Sequence, residues 1–216
     1  NFLEICKQKT IYIGEDELIV GERGPAPKSV PTFPELTCHS VDDFHVLNSR
    51  EQQRYTISQE DIDTYEREVI PYWKGRTMRE RIFSHVPCEW KAAYEAGVFT
   101  EFMEQRAPGH TALDGKIYQK GMLDFKKEIE EHIQRLDFLN DPEATDKLVE
   151  LKAMDISCDA VILFAERHAG LAEKMAKNET NLERIQELKK IAEVCRRVPA
   201  NAPRNLWEAL QMYWFV

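Results

Sequence analysis

The chain has 216 residues, 43% of them apolar, and carries 29 Lys and Arg against 38 Asp and Glu for a formal charge of −9. That length and apolar content suit one sizeable domain and exclude global disorder; an acidic balance spread along the chain disfavours nucleic acid as the main partner. No apolar run approaches bilayer-spanning length and the first residues show neither a basic n-region nor a cleavage pattern, so a cytoplasmic protein without membrane association is expected.

In chain order, Phe2-Leu3-Glu4-Ile5-Cys6 reads as the second half of an amphipathic helix. With Asn1 in place of an initiator methionine, this suggests a chain that begins inside a longer one. Ile11-Tyr12-Ile13 and Leu18-Ile19-Val20 flank an acidic Gly14 turn and predict two short strands ending at Gly21. Pro25, Pro27, Pro31 and Pro34 make the next stretch an extended crossing. Ser58-Gln59-Glu60-Asp61 predicts a helix start, Ile62, Tyr65, Val69, Tyr72 and Trp73 mark its face, and Pro71 should bend or restart it. Thr77 to Val86 predicts another short helix. Its Arg76, Arg79 and Arg81 form a solvated or ion-paired face before they form an anion site.

Glu89 to Val98 is rich in helix formers, with Trp90, Ala93 and Gly97 at helical spacings. It runs into FTEFMEQRAPGH, Phe99 to His110, where a helical pattern meets the Pro108-Gly109 break and presents His110 directly after it. Read from spacing alone, Phe102 and Met103 are core, Glu104 and Arg106 a structural pair, and His110 a capping or satisfied core histidine. Beyond it, Thr111 to Gly115 is a loop, and Gly121 leads an amphipathic helix to Leu136. Asp141-Pro142-Glu143 caps a long helix, apolar enough around its circumference to be buried through Ala172. Asp155, Asp159, Glu166 and His168 lack a metal-binding spacing and predict no metal site. Asn181 to Arg196 is a further helix closed by Val198-Pro199, and a last one runs into Tyr213-Trp214-Phe215-Val216. A free terminus seldom ends on such residues, so truncation is expected there too. Five cysteines, Cys6, Cys38, Cys88, Cys158 and Cys195, are scattered singly and read as bystander thiols.

The phrases DELIVGERG, VIPYWKGRT, EFMEQRAPGHT and LQMYWFV, in that order, resemble the N-terminal part of the pyruvate formate-lyase domain of glycyl radical enzymes. Gly109-His110, followed by a loop and the helix led by Gly121, is the element common to that family. The wider FTEFMEQRAPGH wording resembles its trans-4-hydroxy-L-proline dehydratase branch. The resemblance implies a mainly α segment with few short strands, residues 1–216 being the N-terminal helical portion of a ten-stranded α/β barrel domain truncated at both ends. It implies a radical lyase, most closely a dehydratase giving pyrroline-5-carboxylate, in which an activating enzyme using S-adenosylmethionine and an iron-sulfur cluster installs a glycyl radical. A cysteine thiyl then abstracts hydrogen from the substrate. It also implies a homodimer.

The family's Cys-x-Glu loop and Arg-Val-x-Gly-Tyr loop do not occur here, so this stretch alone should bind no cofactor and be inactive. Carried over by position, Phe102 is a substrate-contacting residue and His110 a substrate-contacting and catalytic one. An imidazole that titrates near neutrality suits donation to a departing hydroxyl. Two other classes stay open: another glycyl radical lyase, acting on a diol, choline, isethionate or an aryl acetate, or a formate acetyltransferase; and a non-catalytic helical binding module.

Overall fold

A computed structural model describes residues 1–22, 24–27, 29–52, 55–99 and 113–216. The chain divides into two units, Asn1–Val30 with Thr111–Val216, and Pro31–His110.

In the first unit, α1 (Phe2–Gln8), a 3-10 turn (Asp114–Tyr118) and helices α7 (Met122–Gln134), α8 (Ala144–Asn178), α9 (Leu182–Arg197) and α10 (Leu206–Phe215) build the body. The three-residue link between α8 and α9 makes them an antiparallel hairpin, and Asn181 caps α9 by accepting from Glu183 N and Arg184 N. Ala165, Ala169 and Ala172 on α8 are buried, and with Leu188, Ile191, Ala192 and Cys195 of α9 they form the main core. Side chains this small let the two backbones approach closely. A second cluster joins Ile117, Val194, Val198 and Met212. A third joins α7 to α8 through Met122, Ile129 and Cys158, with Lys126 bridging Asp155 at 2.7 Å and Asp159 at 2.9 Å.

The expectation for α8 is only half met. Its C-terminal half is buried, but Val149, Met154 and Ile156 in its N-terminal half are at least half exposed. Apolar composition by itself does not report which turns of a 35-residue helix find a partner.

The expected strands between Ile11 and Val20 do not form, and no strand occurs among the described residues. Side chains of the helices satisfy that backbone directly. Arg184 donates to Gly14 O and Glu17 O, Trp207 Nε1 donates to Leu18 O, and Arg167 donates to Cys6 O and Lys9 O. Gln211 accepts from Val20 N at 2.9 Å and donates to Val20 O at 2.7 Å. Backbone polar groups taken from water need partners, and here the partners are two guanidinia, an indole and one amide instead of a second strand.

His168 sits at the seam of α8 and α10, 1% exposed. Its Nδ1 donates to Phe164 O at 2.8 Å and its ring packs against Phe164 and Phe215. Burial, followed by the nearby Arg167 and Lys9 charges, pushes its pKa down to about 4, against the opposing effect of the Phe164 carbonyl. The unfolded chain therefore binds a proton at this residue between about pH 6.5 and pH 4 that the folded chain refuses. Stability present above that window is lost as pH falls through it, by about 3 kcal/mol at most. Urea unfolding between pH 7 and pH 4.5 checks this: the stability advantage of wild type over His168→Gln is expected to narrow with acidification, and a constant gap would contradict it.

The second unit consists of α2 (Val41–Ser49), a continuous helical run made of α3 (Gln59–Thr64), a π turn (Tyr65–Val69) and α4 (Ile70–Trp73), then α5 (Met78–His85) and α6 (Cys88–Glu95). Capping boxes at Ser40/Asp43, Ser58/Asp61 and Thr77/Glu80 start α2, α3 and α5. Pro71 neither ends nor restarts the run. The π turn before it widens the backbone where its ring would meet the preceding carbonyls. Phe44, Ile62 and Tyr65 form the core of this unit, Phe44 and Tyr65 meeting edge to face at 4.8 Å.

Candidate functional site

Phe102 and His110 lie outside the described residues. What is described is the chain on either side of them, each flank within its own unit.

On the N-terminal side, α6 begins after Pro87 and ends with a Schellman turn: Val98 N donates to Ala93 O, Gly97 N donates to Tyr94 O, and Gly97 has φ +72°. Gly97 thus terminates the helix and is not the small residue on its face that the spacing suggested. The turn folds the chain back so that Phe99 lies 4.9 Å from the Trp90 ring and 6.0 Å from the Tyr94 ring. Trp90 and Tyr94, one turn apart, are stacked at 5.8 Å with an interplanar angle of 3°. Phe83 of α5 meets both edge to face, at 5.5 Å and 5.4 Å, and Arg79 lies 4.7 Å over the Phe83 ring. Two of the three arginines read as a basic face are thus set over rings, since Arg76 lies 4.9 Å over Tyr72.

On the C-terminal side, Leu113 and the 3-10 turn lead to Gly121. Ile117 is fully buried against Val194, Val198 and Met212. The first N–H groups of α7 are taken by the loop that follows α9: Met122 N donates to Pro199 O and Leu123 N to Ala200 O. The backbone of that loop lies where a Cβ on Gly121 would be, 2.3 Å from Ala200 O and from Asn201 Cα. This glycine is required by close approach, since a Cβ there would have nowhere to go.

Several titratable groups elsewhere among the described residues have structural partners. Asp155 and Asp159 hold Lys126, Glu166 and Glu173 hold Arg196, and Glu208, with no side-chain exposure, holds Arg204 at 2.6 Å. The Arg204 hydrogen bonds keep the Glu208 carboxyl below its ordinary range despite burial. Burial raises the Cys195 thiol to about 12 and raises Cys6, Cys38 and Cys158 as well, which suits inert thiols. A cleft of about 380 Å³ in the second unit is lined by Cys38, His39, Trp73, Lys74, Thr77 and Glu80 among others. Glu80 is committed there to Gly75 N, Thr77 N and Thr77 Oγ1. Sequence reading did not single out Arg184, Gln211 or Glu208; the one available cue was a polar residue at a buried helical position.

The family model for pyruvate formate lyase-like proteins matches residues 1–216. The chain is 46% identical over 216 residues to a trans-4-hydroxy-L-proline dehydratase of Clostridioides difficile, covering all of this chain and 27% of that protein. A crystal structure of hydroxyproline dehydratase from Clostridioides difficile with trans-4-hydroxy-L-proline bound is similar with a TM-score of 0.91 and 46% identity, over 99% of this chain and 27% of that one. An isethionate sulfite-lyase of Oleidesulfovibrio alaskensis is 34% identical over 98% of this chain and 27% of its own length. The chain thus spans about a quarter of the length of these relatives, and over its whole extent it belongs to the pyruvate formate lyase-like family.

Proposed function

We propose that this chain is the N-terminal portion of a glycyl radical dehydratase that converts trans-4-hydroxy-L-proline to pyrroline-5-carboxylate. One observation carries the reading: 46% identity to the hydroxyproline dehydratase over the whole chain, against 34% to the isethionate sulfite-lyase. In this reading the stretch helps to build a ten-stranded barrel domain completed by the rest of the polypeptide, and by itself is inactive. The protein works as a cytoplasmic homodimer served by a radical S-adenosylmethionine activating enzyme. The protein radical supplies the hydrogen abstraction. This chain supplies part of the cavity wall.

Within that wall Phe102 presents an apolar face to the ring carbons of the substrate, and His110 donates a proton to the departing hydroxyl. The two roles predict different kinetic signatures. Phe102→Ala removes contact present in both ground and transition states and is expected to raise KM about tenfold, the value of one apolar contact of that size. His110→Ala or His110→Gln removes an interaction that grows as the carbon-oxygen bond breaks and is expected to lower kcat by about two orders of magnitude or more. Anaerobic activation of the polypeptide of full family length, radical quantification by EPR and assay of pyrroline-5-carboxylate test this. Normal radical with unchanged kinetics in both variants would make the residues core packing. Turnover of isethionate or a diol with none of hydroxyproline would place the protein in a neighbouring branch.

A further inference from the structure

The 380 Å³ cleft of the second unit has a chemistry that the dehydratase reading does not use. Three pieces of chain wall it: the segment from Thr37 to the start of α2, the end of α4, and the start of α5. These walls are tied to one another by the chain itself. Met78 N donates to Glu35 O at 2.8 Å and Arg79 N to Leu36 O at 3.1 Å, which fixes the chain ahead of α2 to the start of α5. Tyr65 Oη donates to Thr32 Oγ1 at 2.9 Å and fixes the same stretch to the helical run that ends in α4. Buried Thr77 exchanges hydrogen bonds with Glu80 at the α5 cap. A preformed cavity lowers the ordering cost of binding, and this volume falls at the small end of ligand sites, which run from about 300 to 1,000 Å³.

The lining is mixed in a way that selects among ligands. Val41, Ile70 and Trp73 supply an apolar face that includes one large ring. Lys74 stands exposed at the same cleft, and no ion pair joins it to a described carboxylate. The Arg79 guanidinium, 4.7 Å over the Phe83 ring, adds a second cation. Against them stands the carboxylate of Glu80, which already accepts from Gly75 N, Thr77 N and Thr77 Oγ1. Two cations beside one committed carboxylate favour an anion over a cation, in a chain whose formal charge is −9. Thr37, in the same wall, carries the one buried side-chain polar atom among the described residues to which the chain gives no partner, its Oγ1. An orphaned hydroxyl in a native wall calls for a partner from outside the chain.

We propose that this cleft binds a small organic anion with an apolar body, its carboxylate taken by Lys74 and Arg79 and its body by the Trp73, Ile70 and Val41 face. The inference does not rest on the functional reading above.

Cys38, in the lining, reports on occupancy. Its thiol is half-buried, and burial followed by the Glu80 charge raises its pKa, so a neutral alkylating reagent modifies it slowly and a molecule in the cleft blocks it. The polypeptide of full family length, without radical activation, is treated with iodoacetamide and each cysteine is read by peptide mass spectrometry. Exposed Cys88 serves as the open reference and buried Cys195 as the closed one. Benzoate is expected to slow Cys38 saturably and to leave Cys88 unchanged, with a half-effect concentration in the millimolar range that suits a small molecule in an open cleft. Benzamide, the same shape without the charge, should need about tenfold more, since it forfeits pairing with both cations. Lys74→Gln should raise the half-effect concentration of benzoate about fivefold, the value of one exposed charge pair, and leave that of benzamide in place. Lys74→Arg keeps the charge and should restore benzoate binding.

A Cys38 as unreactive as Cys195 before benzoate is added would mean that the rest of the polypeptide fills the cleft, and would overturn the proposal. Benzamide protecting as well as benzoate would overturn it by making the cleft merely apolar. Inorganic phosphate protecting as well as benzoate would do so by leaving the apolar face no part. Protection undiminished in Lys74→Gln would remove the anion from the place given to it.

Discussion

Gly121→Ala is expected to lower the unfolding free energy of the chain by about 3–5 kcal/mol, seen as a large fall in the urea midpoint. The cause is contact, since Gly121 has φ −99° and an alanine could adopt its conformation. The added Cβ would stand 2.3 Å from Ala200 O and Asn201 Cα and 2.5 Å from Asn201 C, all of them backbone that no rotamer change can move aside. Overpacking of this kind costs about 1–3 kcal/mol. Relieving it by pulling α7 from the loop sacrifices the Met122 N to Pro199 O bond of 2.8 Å and the Leu123 N to Ala200 O bond of 3.0 Å, each worth about 1 kcal/mol. Gly170→Ala is the control. That glycine lies exposed within α8 with nothing within 4 Å of a Cβ, and the substitution should stabilise by about 0.5–1 kcal/mol through helix propensity alone. Equal and small effects at the two positions would refute the close-approach account.

Local sequence signals located most of the described helices because their causes are local, although α2, which its own Ser40/Asp43 capping box starts, was not among those expected. Ser58, Thr77, Gly121 and Asn181 start helices where their capping geometry says they should, and Val198-Pro199 ends α9. The strands predicted for Ile11 to Val20 failed for the opposite reason. Two apolar pieces around a turn look alike whether the backbone will pair with a strand or be clamped by side chains. The deciding residues, Arg184 and Gln211, lie 170 and 191 positions from their partners Gly14 and Val20. The same limit applies to α8, whose composition could not say that Met154 and Ile156 remain exposed while Ala160 and Ala165 are buried.

The candidate site divides along the same line. Phe102 and His110 rest on a wording shared with a family, since their spacing equally fits a helix end with a satisfied histidine. The described residues that precede them in the chain were visible in part. Trp90 and Tyr94 fall one turn apart, and aromatic residues at that spacing share a face. That Gly97 closes the helix, returning Phe99 to that face, needed the observed φ of +72° and the two hydrogen bonds of the turn.

Gln211→Ala should be as damaging as Gly121→Ala, by a different route. Gln211 and Val20 are both 0% exposed, and the Gln211 amide satisfies the N–H and the C=O of Val20. Truncation leaves a buried donor and a buried acceptor unpaired at about 1–3 kcal/mol each, in addition to the cavity, so a total of about 3–5 kcal/mol is expected. Amide exchange at Val20, slow in wild type, should accelerate far more than exchange in α7, where no partner is lost. Gln211→Glu separates hydrogen bonding from volume. The introduced carboxyl matches the amide in shape and accepts from Val20 N when ionised, but it then faces Val20 O with no proton to donate. Burial raises its folded pKa above the unfolded value of about 4.3, so the protonated form, which can donate to Val20 O, is the one the fold prefers. A raised folded pKa contributes stability at low pH that disappears as pH rises through it. The deficit of Gln211→Glu relative to wild type should therefore be large at pH 8 and shrink toward pH 4.5, the same direction as in the His168→Gln comparison, but because the variant gains stability on acidification where there wild type loses it. A deficit independent of pH would mean that Val20 has found water in place of Gln211 and that the clamp does not hold the N-terminal segment.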